Sequence, residues 1–573
     1  MPSNPIDPHL PPHYEPVRIY RPEDMNDLED GDVVQAWDYL FQWDKHCRTA
    51  AQLENSLIPK RWRQIPDPLM DDYLATVPSE TFNPSHDQLQ LLLASETPEA
   101  KALLASITAQ PPIGVRASDE HIRLAQECFY RFAGGILLGT FYVSLVGGFS
   151  SPRISSVLHQ TSYLVAPTVK TRSPADQTAS IPGEDLNDIA YAPITPQVRE
   201  RTSVRLMETL QFVLDIMGSP LPIASVDAAQ GDVERPSDYD SLNASRLGPA
   251  CLRPLTGEGW KSVIRTRILH GIVRRRLMNT VKDGKYNFEK DGYPLNAEDM
   301  TATLGSFCIP PIVASLKIGS PMPLHFQAAY ISHWRHVGYY LGIPSDILRR
   351  HFDVSQSLAP ANKIFASLST HLLAHPVDLE KRDRLPPPTL PLLHTAAGME
   401  PFKTPLTHHF RAARYFLGDE LATALNIPQS SPVQLALMQL SFYAIIYPEY
   451  FGMYYPRRNW ERMRMQLSQD LLGRMVRSGL KGRRSMFRPH RLVAGQGAKQ
   501  EGELPDDVKQ AESFGLKLDP KGAYSAVRKY RALMIEMVLV SGLSAAVVTY
   551  SACYLSSKLL DVGSVLVGRA GNS

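Results

Sequence analysis

The chain has 573 residues, 43% of them hydrophobic and 21% charged, with a formal net charge of +2. That balance is too apolar for a disordered polypeptide, and its bulk charge gives no reason to expect a nucleic-acid partner. Cys47, Cys128, Cys251, Cys308 and Cys553 form no C-x-x-C pair, which argues against a disulfide scaffold, a zinc ribbon and covalent c-type haem attachment and fits a reducing compartment.

Residues 1–30 begin MPSNPIDPHLPPHYEP, with neither a basic start nor an apolar core, and read as a flexible amino-terminal arm. Residues 31–492 read as one helical body. Helical patterning predicts elements over Val34–Cys47, His86–Ile107 and Asp119–Gly147, the last holding the apolar run FAGGILLGTFYVSLVGG. Its glycines favour a core helix packed closely on its neighbours over a membrane span. Further helices are expected at Pro196–Met217, Gly259–Thr280, Asn296–Ile318, Met322–Leu341, Ser345–Ser357, Ala361–Leu373, Leu406–Leu425, Pro432–Ile446 and Arg457–Gly479. No strand-type alternation, β-α-β series or internal repeat is evident.

Lys170–Asp188, Ser225–Ala244 and Val493–Ala511 read as loops, the second a surface insertion at about 225–244 and the third part of a linker over 493–515. The basic run Arg457–Arg491 reads as a solvated face or as a surface resting on anionic lipid. Met537–Leu555 is an uncharged apolar stretch within a span expected at 532–557. Lys521, Arg528, Lys529 and Arg531 precede it, and only Lys558 and Arg569 follow, which places the main body on the cytoplasmic side. The competing reading is a buried last helix.

Four segments carry candidate chemistry. In Pro196–Met217, Arg205 and Thr209 stand one turn apart, with Thr202 and Phe212 in line. A guanidinium and a hydroxyl there suit a partly anionic oxygen, or simply an ordinary helix surface. In GEGWKSVIRTRILHGIVRRRLM, one helix side carries Val263, Thr266, Arg267, His270, Val273, Arg274 and Leu277. An imidazole among aliphatics and cations suits an axial haem ligand, with Arg267 or Arg274 pairing a propionate; a hydrogen-bonded core histidine is the alternative. In GYPLNAEDMTATL, Asn296 is placed to start a helix, with Asp299 three residues on. In HWRHVGYYLGIP, Gly342 ends a helix and Pro344 stops it resuming, while His333 and His336 lack the carboxylate pattern of a non-haem metal site. No nucleophile elbow, phosphate loop or dinucleotide fingerprint accompanies them.

The order of these segments resembles the family that joins bacterial latex-clearing proteins (rubber oxygenases) with the fungal membrane-bound oxygenase of mycophenolic acid biosynthesis. The pieces are AGGILLGTFYVSLVGGFSSPRISSVLHQTSYL, RERTSVRLMETLQFV, GWKSVIRTRILHGIVRRRL, YPLNAEDMTATLGSF and HWRHVGYYLGIP, spanning about 119–344, with ARYFLGDELATALNIP beyond. The resemblance implies an all-α, globin-like core around a b-type haem that activates dioxygen to cleave an isoprenoid carbon–carbon double bond. It implies His270 as the iron's proximal ligand within R-x-x-H-x-x-V-R, and Arg205 and Thr209 near the distal face. Glu208 stands where rubber oxygenases carry a lysine, and it joins the catalytic candidates. The distal base has only Glu184, Asp185 and Asp188 as candidates. The expected partners are dioxygen, a lipophilic small molecule and a membrane, that of the endoplasmic reticulum. Hydroxylation or another oxidation by the same haem, and a scaffold without cofactor, are the alternatives.

Overall fold

The computed structural model describes residues 4–5, 13–20, 22–36, 39–44, 47, 62–82, 86–161, 196–218, 247–281, 286–373, 389–397, 399, 404–480, 484–487 and 520–570. All three predicted loops, and with them Glu184, Asp185 and Asp188, lie outside these residues. The described structure is overwhelmingly helical, as expected.

The exception is a four-stranded sheet of β1 (Asn4–Pro5), β2 (Val17–Ile19), β3 (Val33–Ala36) and β4 (Tyr39–Gln42), in the order β1-β4-β3-β2. β3 and β4 pair antiparallel, with Val34 opposite Phe41, where a helix over Val34–Cys47 was expected. Val33, Val34, Tyr39 and Phe41 are β-branched or aromatic and fit a pleated surface better than a helix. Residues 17–28, read as part of a loose arm, instead contribute β2 and bury Ile19, Met25 and Leu28 beside Phe41 and Trp43. Three apolar anchors in twelve residues suffice to dock that stretch.

The helices are α1 (Pro68–Thr76), α2 (Gln88–Ala94), α3 (Pro98–Thr108), α4 (Asp119–Arg131) and α5 (Ala133–Leu138), followed by a π-helical segment, Gly139–Gly147. Then come α6 (Pro152–Thr161), α7 (Pro196–Ile216), α8 (Glu258–Asn279), α9 (Ala297–Ile318), α10 (Leu324–Tyr340), α11 (Ser345–His351) and α12 (Ala359–Leu372). α13 (Thr389–Ala396), α14 (Leu406–Leu417), α15 (Asp419–Ala424), α16 (Pro432–Tyr454), α17 (Arg458–Gly479) and α18 (Pro520–Ala570) complete the chain.

Three predicted helices are divided. Thr97 caps α3 by accepting from Ala100 N–H at 3.2 Å, and Pro98 opens it, so His86–Ile107 becomes α2 and α3. Gly418, at φ 90°, separates α14 from α15. Asp119–Gly147 bends by 84° after Arg131. Beyond that bend the run packs in the core, as its glycines predicted. A Cβ at Gly139 would lie 2.6 Å from Pro310 O and 2.7 Å from Pro311 Cα, so only glycine admits this contact with α9.

Pro310 and Pro311 interrupt α9 and free the carbonyls of Ser306 and Phe307. Ser144 Oγ of the π segment donates to Ser306 O, and Tyr330 Oη of α10 donates to Phe307 O at 3.3 Å. Both freed acceptors are therefore satisfied by neighbours. Two described helices are long and apolar enough to cross a membrane: α9, 61% buried inside the molecule, and residues 528–557 within α18, only 11% buried.

Candidate functional site

His270 sits midway along α8, and nearly every arginine of that helix has a partner elsewhere. Arg265 pairs with Asp87, which caps α2. Arg267 forms a two-pronged pair with Asp67 at 2.7 and 2.8 Å and reaches Tyr340 O at 3.4 Å. Arg274 pairs with Asp71 at 2.9 Å and donates to Leu295 O at 3.0 Å. Arg275 donates to Leu74 O and Val77 O, and Arg276 to Phe82 O. α8 is thus clamped to α1, to the start of α9 and to the end of α10. Gly342, at φ 88°, closes over the Arg267–Asp67 pair, where a Cβ would lie 2.6 Å from Asp67 Oδ2. Arg267 and Arg274, expected at a propionate, hold carboxylates of this chain instead.

Between these clamps, Thr266, Leu269, His270 and Val273 form a half-buried stripe along one side of α8. His270 Nδ1 is buried and has no hydrogen-bond partner among the described residues. Among the described residues no carbonyl or carboxylate oxygen accepts from it. Burial first, and the Arg274 charge second, hold the imidazole at a pKa of about 4, so it is neutral at physiological pH. A neutral imidazole with a buried, uncommitted nitrogen and an open apolar flank fits the axial ligand of a flat cofactor.

Arg205, Glu208 and Thr209 lie on α7. Arg205 is buried and forms an ion pair with Glu208 on its own helix. The second Glu208 oxygen accepts from Ser485 Oγ at 2.7 Å, and Thr209 Oγ1 donates to Arg205 O at 3.0 Å. α7 and α8 meet at their far ends. A Cβ at Gly259 would lie 2.7 Å from Asp215 O, and Ser262 Oγ donates to Asp215 Oδ2 at 2.5 Å. Arg484 pairs with the same carboxylate at 2.6 Å. From this junction, Thr209 lies six residues back along α7 and His270 eight residues on from Ser262. At about 1.5 Å per residue these are roughly 9 and 12 Å from it.

Asn296 caps α9 by accepting from Asp299 N–H at 3.0 Å, as expected. His333 is fully buried, and His336 Nδ1 accepts from Ala117 N–H at 3.3 Å. Among the described residues no three or more His, Cys, Asp or Glu side chains are grouped to hold a metal ion.

Sequence reasoning missed an apolar cavity of ≈ 190 Å³ between the π segment, the proline-broken part of α9, α12 and the sheet. Phe41, Val143, Phe149, Phe307, Val313 and Phe365 line it. Phe307 stacks on Trp334 at 5.0 Å, and Trp334 lies 6.5 Å from Phe212 of α7, so aromatic rings link the cavity wall to the helix of Arg205. The adjacent prolines and the Gly135/Gly139 spacing were the available signals for this disturbed packing.

Residues 195–446 match the family described as ER-bound oxygenase mpaB/B'/rubber oxygenase, catalytic domain. The match starts after the apolar run that opened the sequence resemblance and continues beyond it, into α16. Among solved structures, that of latex clearing protein LCP in the closed state is similar at a TM-score of 0.44 and 14% identity, covering 76% of this chain and 95% of the other. No curated protein matches the chain.

Proposed function

We propose that the protein is a haem b-dependent oxygenase that uses dioxygen to cleave a carbon–carbon double bond of a lipophilic, prenylated metabolite. In this reading α18 anchors it in the endoplasmic reticulum membrane with the catalytic body on the cytoplasmic side. The observation that carries the reading is His270: neutral, embedded, with an uncommitted nitrogen, inside the stretch that matches an oxygenase catalytic domain.

His270 would hold the iron, and bound haem would supply the centre at which dioxygen is activated. Arg267 and Arg274 act at one remove, fixing the roll of α8 and so the direction of the imidazole. Burial keeps the ring unprotonated, leaving its lone pair available well below neutral pH. On α7, Glu208 holds the Arg205 guanidinium and restrains the positive charge offered to an oxygen atom. Thr209 has a hydroxyl that can turn from Arg205 O toward a ligand. The apolar cavity would exclude water and receive part of a hydrocarbon chain, and a membrane anchor would bring the enzyme to a substrate that dissolves in lipid.

The test is the absorption spectrum and pyridine haemochrome of the full chain beside His270→Ala, with product analysis under oxygen. A Soret band lost in His270→Ala, with aldehyde or ketone fragments from a prenylated substrate, is expected. Full haem retention in His270→Ala, or a folded colourless protein, would overturn the ligand assignment; hydroxylated product without fragments would overturn cleavage.

A further inference from the structure

α16 has two opposed faces. Met438, Phe442, Ile446 and Glu449 turn inward, with Phe442 against Tyr415 and Phe416 of α14 and Glu449 accepting from Ser320 Oγ. On the opposite side, Tyr443, Tyr447, Tyr450 and Tyr454 recur at helical spacing, flanked by Val433, Leu437 and Leu440. These are open: Val433 is 69% exposed, Tyr443 62% and Tyr454 75%. From Pro432 to Pro456 the only charged residue is Glu449, and it is buried. An exposed helix face about 34 Å long without a charge is a poor partner for water.

The contacts between α16, the turn after it and α18 say what covers that face. Arg457 and Tyr455 bind Glu536, the last charged residue before the apolar stretch, at 2.7 and 3.0 Å. Tyr447 then hydrogen-bonds Ser541, five residues inside that stretch. If α18 enters a bilayer at Glu536, Tyr447 lies below the same boundary. Tyrosine is suited to that depth, with its ring in the acyl region and its hydroxyl at the polar interface. Leu316 and Leu324, exposed on either side of Gly319, extend the patch, because Tyr450 Oη donates to Gly319 O at 2.9 Å.

We infer that α16 lies in the membrane interface with its tyrosine face immersed in lipid, so the catalytic body is seated on the bilayer rather than tethered above it. This rests on α18 being a membrane segment. Within the basic run, Arg464 pairs with Glu461, Arg474 with Asp470 and Arg484 with Asp215, so these three charges are engaged inside the protein. The lipid contact inferred here is the uncharged face of α16.

The experiment uses the full chain in phosphatidylcholine nanodiscs, with Cys553→Ser removing the exposed native thiol. A nitrobenzoxadiazole label is placed in turn at Tyr443→Cys, Val547→Cys and Glu80→Cys. Lipids spin-labelled near the headgroup or deep in the acyl chain serve as quenchers. The expected result is at least twofold quenching at Tyr443→Cys, stronger by the shallow quencher, with Val547→Cys quenched and Glu80→Cys not. Quenching at Val547→Cys alone would overturn the seating and leave the anchor intact. Quenching at neither position would remove the anchor and the seating together. Tyr443→Cys labels that are insensitive to lipid but crosslink between chains would assign the face to a second copy and overturn the inference.

Discussion

Replacing Arg267 by Met separates the two roles open to an arginine one turn from His270. The Arg267 and Asp67 side chains are 6% and 11% exposed, and both guanidinium contacts with the carboxylate are shorter than 3 Å. Deleting one member leaves the other charge buried without compensation, at a cost of about 3–5 kcal/mol. Asp67→Leu should cost a similar amount, plus about 1 kcal/mol because Asp67 also caps α1 toward Met70 N–H. The double variant removes both charges and should recover much of the loss, a coupling of about 2–3 kcal/mol. Urea unfolding of the detergent-solubilised full chain, followed by tryptophan fluorescence, gives the stabilities, and Soret absorbance per mole gives the haem content. Two unstable single variants and a partly rescued double are expected, with haem lost only in proportion to unfolding. An unchanged urea midpoint in Arg267→Met together with lost haem would refute the clamp and put the guanidinium on a cofactor carboxylate.

Gly139→Ala would force its Cβ to within 2.6–2.8 Å of the Pro310 and Pro311 backbone, so α9 and the π segment must part by several tenths of an ångström. The variant should lose about 1–3 kcal/mol by urea unfolding despite alanine's better helix propensity, and equal stability would contradict the close contact. Burial lowers the pKa of His270, His336 and His409 to about 4 and that of His333 to about 3, each from 6.5. The unfolded chain then binds more protons than the folded one, so stability is full above pH 6.5 and falls progressively toward pH 3–4, by up to roughly 3 kcal/mol for a ring shifted to about 4 and roughly 5 kcal/mol for His333. A urea midpoint that stays level between pH 7 and 5 would contradict this.

The long helices were legible because their apolar faces repeat over many turns. α8, α9 and α10 each start and stop within about two residues of their expected ends. The sheet was not legible. β3 and β4 have four residues each, too few for alternation to stand out, and Val34 and Phe41, seven residues apart, also fit a helical stripe. The break at Thr97–Pro98 was readable from an N-cap followed by proline, but a continuous run of leucines and alanines obscured it. At the site, His270 was visible as the one imidazole of an arginine-rich helix. The partners of Arg267 and Arg274 lie about 200 residues away on α1, and short-range periodicity cannot specify a contact of that separation. Asp67 and Asp71, one turn apart, acquire their meaning only when α1 is laid against α8.

Glu208 changes what the proposed reaction can draw on. A lysine at this position, as the resemblance implies for rubber oxygenases, would put two cations on this side of α7. Here Arg205 and Glu208 form an internal pair, and Ser485 fixes the second carboxylate oxygen. A paired guanidinium still offers directed N–H groups but a weaker field, because the nearby carboxylate opposes its charge. Stabilisation of a developing negative oxygen would then fall more on hydrogen-bond direction and on exclusion of water than on net positive charge. In the proposed reaction, charge reversal at this one position would therefore lower the positive field beside Arg205 and leave hydrogen-bond direction as the larger contribution.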